Sequence, residues 1–228
     1  MGLYSAAVLA DSPFWYFRMP KAGALATMSI GSDTSWWGGA QLFTQQGSWT
    51  GVESDAGSIL LLGTAGTAQS RAFSATAWTI EFWVYQGGQS SGTVQTTNNY
   101  VLLDSAGVTN TSFGVGASGG RWTWTALAGP NSTTTVFFVP GVWHHVALVY
   151  TTLATLYVDG ASIFTSTAFS QAGYTTARLV GAEVETYPTW LAELALYPVA
   201  LSSTRIAAHA SAVSPTAPVF STALTSCS

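Results

Sequence analysis

WTIEFWVY, residues 78–85, alternates Trp78, Ile80, Phe82 and Val84 with Thr79, Glu81, Trp83 and Tyr85. Successive side chains of an extended chain leave on opposite faces, so this period of two predicts a β-strand with the first set turned inward. WHHVALVY at 143–150 is apolar on both faces after its first turn, the pattern of a central strand covered from both sides. In TLYVDGASIFTS, 155–166, Asp159-Gly160 separates two strand-like runs and supplies the positive φ angles of a type I′ hairpin. The last strong run, TWLAELALY at 189–197, stops at Pro198, which has no amide to give to a ladder.

Working outward, YVLLDS (100–105), SFGVGAS (112–118), RWTWTAL (121–127), TTVFFV (134–139) and TARLVGAE (176–183) read as further strands, punctuated by glycines and Asn-Ser pairs. A polar, turn-rich stretch fills 86–99. Near the N-terminus, YSAAVLADSP predicts a turn of helix and FWYFRM (14–19) a strand that begins after Pro13. Residues 20–58, including DTSWWGGAQLFTQQGSW, read as strands with long loops. In LSSTRIAAHA (201–210), Ser202 or Ser203 is placed to cap a short helix, with Ile206 turned inward beside Leu201. The expected fold is thus all-β: a two-sheet antiparallel sandwich over 1–210, with a short C-terminal helix and an extended tail. The Ser/Thr/Ala/Pro-rich tail, 211–228, is expected to be disordered alone and to serve as an assembly contact. A chain of 228 residues suits one such domain.

Hydrophobic residues make up 48% of the chain and charged ones 7%, too few charges to cover a free monomer in the usual mixed-sign way. Much of the surface is therefore expected to meet partners. A membrane helix needs roughly 18 or more consecutive apolar residues; the densest stretch, ILLLG at 59–63, is far shorter. The opening MGLYSAAVLADSP has neither a basic segment nor a sustained apolar run, so no secretory signal is expected. With Cys227 the single cysteine, no internal disulfide forms and the fold rests on packing. A net charge of −4 with six Lys plus Arg argues against a phosphate-binding surface and so against nucleic acid.

Four segments in order, AVLADSPFWYFRM (7–19), WTIEFWVY (78–85), WHHVALVYTTLATLYVDG (143–160) and WLAELALYPVALSSTRIAAHA (190–210), resemble the laminin-G-like or concanavalin A-like sandwiches of bacterial and bacteriophage proteins. The resemblance spans most of the chain and implies the jelly-roll form of the sandwich. It implies less about function, because this fold serves lectins, glycosidases, adhesion modules and virion proteins alike. The leading ADSP segment looks most like structural proteins of tailed bacteriophages. On that resemblance the chain is expected to be a non-enzymatic virion component, a capsid decoration or minor tail protein, made in the host cytoplasm. Its expected partners are other virion proteins and further copies of itself. The first alternative is a carbohydrate-binding adhesion module for host glycans, and the second is a glycoside hydrolase on the same fold.

A glycosidase resembling the laminarinase type would carry E-x-D-x-x-E on one strand, whereas here Glu81 is followed two positions later by Trp83. A pair drawn from separate strands, Glu81 with Glu183 or Glu185, stays open, because either stereochemical course needs two facing carboxylates. Asp33, Asp55, Asp104 and Asn110 are scattered and Asp159 is explained by its turn, so they do not form the oxygen cluster that calcium wants. Where many members of the resembled family place an Asp before the Glu of the closing strand, this chain has Ala192. His144 and His145 are adjacent and point to opposite faces of a strand, which favours packing over joint ligation of a metal. No G-x-S-x-G elbow is present, and Cys227 has no evident base beside it. No catalytic residue, metal or cofactor is therefore expected. Of the 10 tryptophans, Trp78, Trp83, Trp143 and Trp190 read as core. Trp122 and Trp124 share one face, where flat rings could stack on sugars, pack on a protein or fill the core, and Trp36 and Trp37 in a Gly-rich loop are open to the same readings. Asn110-Thr111-Ser112 and Asn131-Ser132-Thr133 match the glycosylation pattern, which needs a secretory route to matter.

Overall fold

A computed structural model describes residues 2–18, 48–50, 52–53, 57–61, 71–72, 75–86, 101–104, 113–118, 121–126, 132–137, 139–165, 176–179, 189–217 and 220–221. The chain runs through helix α1 (Leu3–Ala10) and strands β1 (Trp15–Phe17), β2 (Ser48–Thr50), β3 (Gly57–Leu61), β4 (Arg71–Ala72), β5 (Trp78–Gln86), β6 (Val101–Asp104) and β7 (Phe113–Ser118). It continues through β8 (Arg121–Ala126), β9 (Ser132–Phe137), β10 (Trp143–Tyr150), β11 (Ala154–Val158), β12 (Ala161–Thr165), β13 (Thr176–Leu179) and β14 (Thr189–Tyr197), then helix α2 (Ser203–Ser211) and β15 (Phe220–Ser221). Each expected strand from 78 onward overlaps an observed one, as does 14–19; the reading of 20–58 falls mostly outside the described residues, and the N-terminal turn of helix extends to the eight residues of α1.

The large sheet has the order β12-β11-β10-β5-β14-β3-β2-β15, with β1 pairing onto β14. Two three-stranded sheets, β4-β13-β6 and β7-β8-β9, hold the other strands among the described residues; β6 lies beside β7, and β9 beside β12. Every pairing is antiparallel, so the all-β reading holds. The Asp159-Gly160 hairpin forms as expected, with φ of 51° and 81°.

Directly paired residues share a face, so the registers sort the core into two layers. Trp78, Ile80, Phe82 and Val84 of β5 lie with Val146, Leu148 and Tyr150 of β10 and Leu156 of β11 on one face, all buried. The Trp78 and Tyr150 rings stack there at 5.4 Å. This is the inward set read from the alternation. The opposite face, with Thr79, Glu81 and Trp83 of β5, is buried as well, because α1 and α2 lie over it and add Tyr4, Val8, Leu201 and Ile206. Both faces of β10 are buried throughout, as its two-sided apolar pattern predicts.

Each helix start is satisfied by a side chain. Ser202 Oγ accepts from the Arg205 amide at 3.3 Å and so caps α2. α1 has no cap of its own, since Gly2 stands at its N-cap. Glu53 serves it from a distant segment, accepting from the amides of Tyr4 at 2.7 Å and Ser5 at 3.2 Å, where a helix N-terminus favours a carboxylate. Thr79 anchors the turn into α2, donating to the Val199 carbonyl at 2.9 Å and accepting from the Leu201 amide at 2.8 Å. Of the tail, Thr216 accepts from Trp143 Nε1 at 2.8 Å, and Phe220 and Ser221 pair with Trp49 and Ser48.

Candidate functional site

Trp122 and Trp124 stand on β8, the middle strand of β7-β8-β9, opposite Ala117 and Val115 of β7. Trp36, Trp37, Glu183, Glu185, Asp33, Asp55, Asn110 and Cys227 lie outside the described residues. Trp78, Trp83, Trp143 and Trp190 are buried, in agreement with their reading as core.

The densest polar chemistry lies beneath the helices. Glu81 of β5 is fully buried and accepts hydrogen bonds from three donors. These are the Tyr197 hydroxyl of β14, His209 Nδ1 of α2 at 2.9 Å and His145 Nε2 of β10 at 3.2 Å. His209 reaches Asp11, just past α1, through its other nitrogen at 3.0 Å, and Arg205 Nε holds the same Asp11 oxygen at 2.8 Å. The Tyr4 ring sits edge-on to Trp83, His145 and His209. Burial alone would raise the Glu81 carboxyl, but the hydrogen bonds and charges of His145 and His209 outweigh it and bring it down to about 2. Burial keeps the Tyr4 and Tyr197 hydroxyls protonated, reinforced by the nearby Glu81 charge.

A second carboxylate occupies a kink in the same face. Trp83 pairs with Ala192 and Glu81 with Ala195, so Glu193 and Leu194 together oppose the single residue Phe82 in a β-bulge. Glu193 takes φ of 53°, a left-handed conformation unusual for a side chain of its size. The bulge turns it to accept from the Tyr16 hydroxyl at 2.5 Å and Arg18 Nε at 3.3 Å, while Arg18 Nη2 also donates to Glu53 at 2.9 Å. Burial pushes the Glu193 carboxyl up to about 7; the Glu53 charge adds to this, and the Tyr16 hydrogen bond and Arg18 only partly oppose it.

His144 sits on the other side of β10, with Nδ1 2.7 Å from Asp159 and Nε2 2.9 Å from the Val139 carbonyl. Asp159 also accepts from the His145 amide at 2.9 Å, a role beyond its place in the turn. The two adjacent histidines do face opposite ways, and all three histidines of the chain meet a carboxylate. Among the described residues, no group of three or more His, Cys, Asp or Glu is arranged to hold a metal.

Two carboxylates on one face with oppositely shifted pKa values resemble the division of labour in an acid–base pair. Glu81 and Glu193 are nevertheless both fully buried, and protein donors occupy their oxygens. This arrangement fastens the N-terminal helix and strand and α2 to the sheet. Sequence reasoning singled out Glu81 and missed Tyr4, Asp11, Tyr16, Arg18, Glu53, Glu193, Arg205 and His209. The usable signal was scarcity: with 7% charged residues in a chain this apolar, each charge is expected to have a partner.

A model of the concanavalin A-like lectin/glucanases superfamily matches residues 62–207. No curated protein matches the sequence. Among solved structures, the chain is similar to the receptor binding domain of botulinum neurotoxin type G, with TM-score 0.61, 13% identity, and coverage of 87% of this chain and 50% of that one. The binding domain of Paraclostridial Mosquitocidal Protein 1 gives TM-score 0.62, 13% identity, and coverage of 87% and 52%. Trypanosoma rangeli sialidase gives TM-score 0.51, 17% identity, and coverage of 68% and 27%. The chain thus spans about half the length of the toxin domains and about a quarter of the sialidase, and at these identities the likeness is one of fold.

Proposed function

The chain belongs to the concanavalin A-like lectin/glucanases superfamily, and from that premise we propose that it is a non-catalytic binding domain and a structural component of a bacteriophage virion, as a capsid decoration or minor tail protein. The observation that carries the non-catalytic part is the state of Glu81 and Glu193: both are enclosed beneath α1 and α2 and consumed by internal hydrogen bonds. The virion part is supported by the order of the four resembling segments and by a composition of 48% hydrophobic and 7% charged residues, which suits extensive contact with neighbouring subunits. The tail beyond Ser211 serves as one such contact. Electron microscopy and mass spectrometry of purified parent particles test this directly: the chain is expected at a fixed stoichiometry, and its absence from the particle ends the proposal.

A second reading, carbohydrate recognition, is favoured by the shared fold with the receptor binding domain of a botulinum neurotoxin and with a sialidase. The ligand surface would be the β7-β8-β9 sheet, with Trp122 and Trp124 as stacking rings. A glycan array separates the readings. Specific sugar binding that disappears in Trp122→Ala or Trp124→Ala supports recognition of glycans, and a blank array leaves protein contacts as the function. Polysaccharide hydrolysis abolished by Glu81→Gln, in a variant that still folds, would overturn the non-catalytic assignment.

A further inference from the structure

His209 is buried on the inner side of α2, and both of its ring nitrogens face carboxylate oxygens: Nδ1 lies 2.9 Å from Glu81 and Nε2 lies 3.0 Å from Asp11. A neutral imidazole has one N–H and one lone pair, so it can satisfy only one of these acceptors; the imidazolium satisfies both. The three groups come from three elements, β5, α2 and the chain just past α1, so the doubly protonated ring closes a bridge from the sheet through α2 to the N-terminal helix.

We infer that His209 is a proton-operated clamp, whose charged ring fastens α1 to α2 and the sheet and whose neutral ring lets α1 loosen. The groups facing it are Glu81 from β5, Asp11 beyond α1, Arg205 from its own helix, Tyr197 from β14 and Tyr4 from α1, with His145 of β10 reached through Glu81. With His209 charged, it and Arg205 balance Glu81 and Asp11. Loss of the Nε2 proton turns a lone pair toward Asp11, leaving that carboxylate to Arg205 alone and breaking the link from His209 to the chain beyond α1. α1 is the part that yields: it has eight residues, no charged side chain and no cap of its own, so it depends on its tertiary anchors.

Burial lowers the His209 pKa, but Glu81 and Asp11 outweigh it and the net displacement is upward from 6.5. The bridge is therefore fully present below 6.5 and is lost as pH rises through the folded-state value. Hydrogen exchange and histidine NMR on the full chain test this. At pH 6, long-range proton–nitrogen spectra are expected to show both His209 nitrogens protonated, assigned through contacts to the Tyr4 and Tyr197 rings. Between pH 6 and pH 9, after correction for intrinsic exchange, protection of the α1 amides is expected to fall about ten-fold or more, the equivalent of one charge-assisted hydrogen bond. His209→Gln, which leaves Glu193 to titrate as before, is expected to hold α1 at its loosened level throughout. A singly protonated ring at pH 6, unchanged α1 protection between the two pH values, or a wild-type response in His209→Gln each overturns the inference. If His209→Gln does not fold, the NMR and exchange measurements on the unaltered chain still decide.

Discussion

Glu193→Gln tests the electrostatics of the β14 bulge. The Glu193 carboxyl titrates near 4.5 in an unfolded chain and near 7 in the folded one. Its neutral form is therefore the one the fold prefers, and the stability this gives is complete below pH 4.5 and lost as pH rises through about 7. A displacement of that size at about 1.36 kcal/mol per pH unit corresponds to about 3 kcal/mol lost across the window. Glutamine keeps one acceptor oxygen, which at the Oε2 position reaches both Tyr16 and Arg18 Nε, and never acquires the charge. Arg18 is not stranded by the change, because Glu53 remains 2.9 Å away, so the heavy penalty of leaving a buried ion alone does not apply. The variant is expected to match the wild type at pH 4.5 and to exceed it by up to about 3 kcal/mol at pH 8. Urea unfolding followed by tryptophan fluorescence over a pH series reads this as a midpoint increase of roughly 1 M, taking a slope of about 2–3 kcal/mol per M. A wild-type-minus-variant difference that stays constant from pH 4.5 to pH 8, or a variant less stable at pH 8, refutes the reasoning.

Gly160→Ala is expected to destabilise by about 1–2 kcal/mol, since φ is 81° and an added Cβ would lie 3.0 Å from the Ala207 backbone; chemical unfolding checks this. Gly2→Ala would place a Cβ 1.9 Å from a Glu53 carboxylate oxygen. It should displace that carboxylate from the α1 amides at a cost of about 1 kcal/mol, seen both in unfolding midpoint and in faster exchange at Tyr4 and Ser5. Burial lowers the His144 pKa, but hydrogen bonds to Asp159 and the Val139 carbonyl and the Asp159 charge raise it overall. Asp159→Asn should therefore lower the His144 titration midpoint followed by NMR, and an unchanged midpoint would show that Asp159 does not control it.

Much of the sheet was legible in local pattern. A strand's two faces repeat every second residue, so WTIEFWVY and WHHVALVY disclosed both their form and the sides they bury. Asp159-Gly160 disclosed its hairpin because few residue pairs accept two positive φ angles, and the Ser202 cap with Ile206 behind it disclosed α2. These are short-range constraints, carried by residues a few positions apart. The composition likewise established a chain poor in charge, with a single cysteine and no long apolar helical segment.

The polar site depends on distance in space, which no local pattern encodes. Glu81 meets His209 across 128 positions and Tyr197 across 116, and Glu53 caps a helix 48 to 49 positions away. Nothing near Glu193 in sequence announces that a bulge will turn it toward Tyr16, 177 positions earlier. Alternation placed Glu81 on the face opposite the inward set, and only the docking of α1 and α2 shows that this face is buried too. Periodicity determines which side of its own strand a residue occupies; the packing of remote elements determines whether that side meets water, apolar side chains or an opposite charge.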